Sequence, residues 1–179
     1  ETLAEYIDWT FFFVAWQMKG KFPAILDDPT YGEEARKLYD DARRMLDEMI
    51  RKEAIQASAA IFLHPAARTE DDSIEIYGDE RREKVIGTWH TLRQQKRKEK
   101  VGYYLSLSDF VAEKGSGIPD YLGGFATSAG FGLEEYIKPF ERAKADYSAI
   151  LAKILADRLA EAFAERVHEV VRGEYWGYD

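Results

Sequence analysis

Leu151, Leu155, Leu159, Phe163 and Val167 recur at intervals of four. On a helix of 3.6 residues per turn that spacing stacks the five side chains into one apolar ridge, which has to be covered by other elements. The rest of the chain offers the cover. A second amphipathic helix is predicted over roughly 30–53, where Leu38, Ala42, Met45, Leu46 and Met49 fall at three-and-four spacing after the Asp28-Pro29 start. Ahead of it, Thr2 to Gln17 reads as two short helical pieces, with Asp8 placed to cap the turn that begins Trp9-Thr10, and Gly20 and Pro23 as punctuation.

The middle of the chain changes period. Ala57 to Phe62 reads as a strand ended by Pro65, and Ser73-Ile74-Glu75-Ile76-Tyr77 alternates as a second. Glu83 to Trp89 reads as a third, Tyr103 to Leu107 as a further strand, and Gly115-Ser116-Gly117 as a turn. Asp120 to Gly132, rich in small residues, is assigned to a strand, and from Leu133 the chain is helical to its end. Helices first, strands next and helices last indicate an α+β domain. The 179 residues form one domain with no internal boundary.

Composition narrows the function classes. The longest apolar run, Phe11 to Trp16, is far short of the roughly 20 residues that cross a bilayer, and no charged-then-apolar leader precedes it. Thirty-three Asp and Glu against 25 Lys and Arg give a net charge of -8, which repels phosphate backbones, so neither a membrane nor a nucleic acid is expected as partner. There is no cysteine, in keeping with a reducing, cytoplasmic setting. Because the chain opens at Glu1 without Met and stops at Tyr178-Asp179 without a polar tail, it is read as a piece of something longer.

Few residues carry obvious chemistry. His64, His90 and His168 stand in no metal-ligand spacing, and the basic stretch from Arg93 to Lys100 reads as a solvated loop. Asp157, Glu161 and Glu165 are more informative, because carboxylates four apart repel along one helix flank. Local pairing is one explanation, Lys153 reaching Asp157 and Arg158 reaching Glu161. A site for a cationic group is the other, with Ala156, Ala160 and Ala164 leaving room beside the row. For Asp8 a helix-capping carboxylate explains the residue fully, and no pairing of it with Glu161 can be argued from spacing.

Several stretches resemble one family, the C-terminal activation domain of cobalamin-dependent methionine synthase. They are Tyr6-Ile7-Asp8-Trp9-Thr10 with Phe12-Phe13, Asp71-Asp72-Ser73-Ile74-Glu75-Ile76-Tyr77, Leu92-Arg93-Gln94-Gln95, and Ala156-Asp157-Arg158-Leu159-Ala160-Glu161-Ala162-Phe163-Ala164-Glu165. Leu107-Ser108-Asp109-Phe110, Asp120-Tyr121-Leu122-Gly123 and Tyr175-Trp176-Gly177-Tyr178 match in order between and after them.

The resemblance implies an α+β fold in which an antiparallel sheet packs with long helices. It implies S-adenosylmethionine as ligand, cobalamin bound by a neighbouring domain, and a part in methionine biosynthesis: reductive methylation that rescues cob(II)alamin. The electron comes from flavodoxin or a flavoprotein reductase. Asp8 and Glu161 match carboxylates at the amino-acid end of S-adenosylmethionine, whose ammonium needs charge-assisted acceptors. Asp157 and Glu135 match acidic residues that contact the cobalamin domain through its displaced cobalt-ligand histidine, and Leu92 to Gln95 is assigned no chemistry. No residue is assigned acid-base catalysis; the implied methyltransferase role is one of positioning.

The resemblance also marks a departure. The family continues beyond Tyr-Trp-Gly-Tyr into an Arg-Pro-Ala-Pro-Gly-Tyr-Pro segment that grips the ligand, and no such segment occurs here. Loss of its charged partner corresponds to about 1.5 to 3 kcal/mol, so weak binding of S-adenosylmethionine by the 179 residues alone is expected, with exposed apolar surface on the last helix or a sheet edge. The alternative function is a protein-interaction module that keeps the scaffold without the ligand. A freestanding acid-base enzyme finds no supporting spacing.

Overall fold

The computed structural model describes residues 2–96 and 102–177. Two compact units are present: one built from the two ends of the chain, Glu1–Ala60 with Ala126–Asp179, and one from Ile61–Phe125.

The first unit is mainly helical. A 3-10 turn at Thr2–Tyr6 leads to α1 (Trp9–Ala15), then α2 (Gly32–Arg51), α3 (Leu133–Arg142) and α4 (Asp146–Val170), which runs on as a π-helical segment, Val171–Trp176. The predicted ridge is the spine of the core. Leu151, Leu155, Leu159 and Val167 are buried, while Phe163 is only half-buried. Leu38, Ala42, Leu46 and Met49 of α2 meet the ridge, as the spacing required. Trp9 and Phe12 join edge to face at 5.3 Å, and Trp9 meets Tyr39 of α2 at 4.8 Å, so α1 is fixed by aromatic packing. The start of α2 is set by Asp28, whose Oδ1 accepts from Thr30 N at 2.8 Å and Tyr31 N at 3.0 Å. Gly132, which precedes α3, has φ +94°, and a Cβ there would stand 2.6 Å from the Ala54 carbonyl oxygen, so only glycine fits.

The strands are β1 (Gln56–Arg68), β2 (Ser73–Tyr77), β3 (Val85–His90) and β4 (Asp120–Phe131), in the sheet order β3-β2-β1-β4. β2 pairs antiparallel with β3, Ile74 opposite Trp89, and antiparallel with β1, Ala66 opposite Ile76. The fold is α+β with an antiparallel sheet and long helices, as expected from the resemblance. Two strand expectations are corrected. Pro65 does not end β1, because pairing with β2 begins at Ala66 and the missing proline N–H falls just outside that register. Tyr103 to Leu107 is not a strand: Ser106 and Asp109 form a capping box that turns the chain into a 3-10 helix at Leu107–Phe110.

In the second unit, three of the separate sequence motifs converge on one cluster. Arg93 Nε donates to Asp72 Oδ2 at 2.9 Å, and its Nη1 and Nη2 donate to Asp109 Oδ2 and Oδ1 at 2.8 and 2.9 Å. Arg93 therefore does not sit in a solvated loop; it ties the segment after β3 to the start of β2 and to the capping box. Residues 97–100 of that basic stretch lie outside the described residues. Hydrogen bonds from Arg93, and then from Ser106 N–H, hold the Asp109 carboxyl down at about 2.

Candidate functional site

All four carboxylates expected to act belong to the first unit. Asp8 is exposed between two buried neighbours, Ile7 at 6% and Trp9 at 7%, so its backbone is anchored on both sides while its side chain faces solvent. Its Oδ1 accepts from Thr10 N at 2.8 Å as the N-cap of α1, and Oδ2 has no partner among the described residues. Capping thus occupies one carboxylate oxygen and leaves the other available.

Asp157 and Glu161 stand one turn apart on α4 and are both exposed. Their common partner is Arg158. Its Nη2 donates to Asp157 Oδ2 at 2.6 Å and to Glu161 Oε1 at 3.0 Å, and its Nη1 to Glu161 Oε2 at 2.6 Å. The expected Arg158–Glu161 pair is present. The expected Lys153–Asp157 pair is not, because Lys153 turns across to Glu141, 3.5 Å away at the end of α3. Glu165 continues the row without an ion-pair partner among the described residues.

Glu169, one turn beyond Glu165, was not singled out in the sequence, although its spacing extends the row. It accepts from Tyr6 Oη at 2.6 Å and from Arg166 Nη1 at 2.9 Å. The hydrogen bond to Glu169 raises the Tyr6 phenol, and the same bond, with that from Arg166, lowers the Glu169 carboxyl. This contact ties the first turn of the chain to the last helix, and α1 also packs on α4. The elements carrying Asp8 and Glu161 are therefore neighbours, although 153 positions of sequence separate the two residues.

Glu135, in the first turn of α3, pairs with Lys138. Its helix packs on α4, which brings it into the same unit as Asp157. A cavity of about 360 Å³ opens elsewhere in this unit, lined by Leu3, Leu46, Met49 and Leu159 with Glu53 and Gln56 among its polar residues. None of the four expected site residues lines it. No group of three or more His, Asp or Glu among the described residues could hold a metal ion.

Chemically, the arrangement supplies exposed carboxylates on rigid supports, two of them paired with the largely buried Arg158. Exposed carboxylates on fixed elements are chemically suited to accept hydrogen bonds from a cation. Residues 1–179 match the family model described as "Vitamin B12 dependent methionine synthase, activation domain". A solved structure described as the MetH reactivation domain bound to AdoHcy is similar at 48% identity and a TM-score of 0.90, covering 98% of this chain and 54% of that one. The chain thus spans about half the length of that relative.

Proposed function

Because the chain belongs to the activation-domain family of vitamin B12-dependent methionine synthase, we propose that it forms the N-terminal portion of a domain that binds S-adenosylmethionine for reductive methylation of cob(II)alamin on a neighbouring cobalamin-binding domain. The observation that carries this reading is the AdoHcy held by a relative 48% identical over 98% of this chain, since S-adenosylhomocysteine is what S-adenosylmethionine becomes on losing its methyl group.

In this reading Asp8 and Glu161 accept hydrogen bonds from the ligand's α-ammonium. The residues suit that group: Asp8 Oδ2 has no hydrogen-bond partner among the described residues, and Glu161 is exposed on a helix fixed by its buried ridge. When bound, S-adenosylmethionine supplies the methyl group that restores methylcobalamin after one-electron reduction by flavodoxin or a flavoprotein reductase. Asp157 and Glu135 receive the cobalamin domain's displaced histidine, and a carboxylate partner favours its imidazolium form. The setting is cytoplasmic. The chain contributes orientation rather than acid-base chemistry, which by itself can remove several kcal/mol from a barrier.

In the full-length enzyme, Glu161→Gln should slow reactivation by roughly tenfold or more, the size of one lost charge-assisted bond, and primary turnover far less. Equal loss of both activities would contradict the assignment.

A further inference from the structure

Arg158 serves two carboxylates with one guanidinium. Nη2 is shared between Asp157 Oδ2 and Glu161 Oε1, at 2.6 and 3.0 Å. The side chain is only 11% exposed, whereas those of Asp157 and Glu161 are 70% and 60% exposed. Its Nε is buried and donates to no group among the described residues. Packing therefore holds the aliphatic stem, while the hydrogen bonds of the head among the described residues all run to these two exposed acids. A head held in this way can pass between its two partners with little movement of the stem.

We propose that Arg158 is a positioning residue that couples the two acidic positions of the proposed function, on which this inference rests. A cation arriving at Glu161 takes acceptor oxygens that Arg158 now occupies, and the guanidinium turns more fully to Asp157. A cation arriving at Asp157 sends it the other way. With both positions filled from outside, Arg158 loses its partners while still largely buried, which is unfavourable. The methyl donor's ammonium and the histidinium of the cobalamin domain therefore weaken each other's binding, and linkage requires the effect to be reciprocal. Histidine docking would then loosen the hold on the amino-acid end of the spent S-adenosyl product and favour its release.

The test is calorimetric binding of S-adenosylmethionine to the full-length holoenzyme and its variants. Asp157→Asn leaves Arg158 wholly to Glu161, so it should weaken binding by about fivefold to tenfold, the lower part of the usual range for coupled sites because both acids are exposed. In an Arg158→Met background, which preserves packing of the stem, the same substitution should change affinity by less than about twofold. Arg158→Gln provides a second background in case Met impairs folding. An equal loss in the presence and absence of Arg158, fading with added salt, would reveal a plain field effect and overturn the coupling, as would no response to Asp157→Asn in either. Should Glu161→Gln leave affinity unchanged, the functional reading itself fails, a result distinct from failure of the coupling alone.

Discussion

Two substitutions at Asp8 separate its role in the fold from its role toward a ligand. The cap is one hydrogen bond, Thr10 N–H to Oδ1 at 2.8 Å, on a helix of seven residues whose Trp9, Phe12 and Phe13 are buried. Asn accepts the same bond and ranks with Asp at this position, so Asp8→Asn should keep stability to within about 0.5 kcal/mol, the small loss being the charge at the helix N-terminus. Asp8→Ala removes the acceptor and should lose about 1 kcal/mol, or a fall of about 2 to 4 °C in Tm for a chain of this size. Binding should sort the variants differently. Both remove the charge offered to an ammonium, so both should weaken S-adenosylmethionine binding in the full-length enzyme by roughly tenfold to hundredfold. Scanning calorimetry of the 179-residue chain gives the first quantity and titration calorimetry of the enzyme the second. The reasoning is refuted if Asp8→Asn melts as low as Asp8→Ala, or if it binds the ligand like the wild type.

Leu155 is fully buried on the α4 ridge, so Leu155→Ala should destabilise the chain by about 2 to 5 kcal/mol in urea unfolding; a loss below about 1 kcal/mol would mean that the ridge does not carry the core. The Asp109 carboxyl, held at about 2 by Arg93, lies below the roughly 3.9 of an unfolded aspartate, so the stability it contributes is present above about pH 4 and disappears as pH falls toward about 2. Urea midpoints at pH 5 and pH 2.5 should show a steeper acid loss in the wild type than in Asp109→Asn, and identical slopes would exclude the cluster as the cause.

Much of the fold was legible because its signals are local. A four-residue recurrence of Leu151, Leu155 and Leu159 defines a helix and its buried side without reference to anything distant, and the α2 pattern does the same. Asp8 as a cap was legible for the same reason, since its acceptor and donor are two residues apart. The Pro65 error arose where a local signal had a non-local meaning, whereas at Tyr103 to Leu107 the apolar run masked a local capping box. Whether Pro65 ends a strand depends on which N–H groups its neighbour needs, and the β2 register answers that.

The candidate site divides along the same line. Spacing alone placed Asp157 and Glu161 on one flank of a helix and offered Arg158 as a partner, because residues three and four apart on a helix have no choice but to meet. Packing of α3 on α4 drew Lys153 to Glu141 and left Asp157 to share Arg158 with Glu161. Packing also brought the Tyr6 turn to Glu169 and so placed the element carrying Asp8 beside the helix carrying Glu161. A helix period and a cap are decided within four residues of backbone, where bond geometry dominates. The partner of a long charged side chain is decided by whichever opposite charge the packed core brings within its reach, and that exists only once the chain has folded.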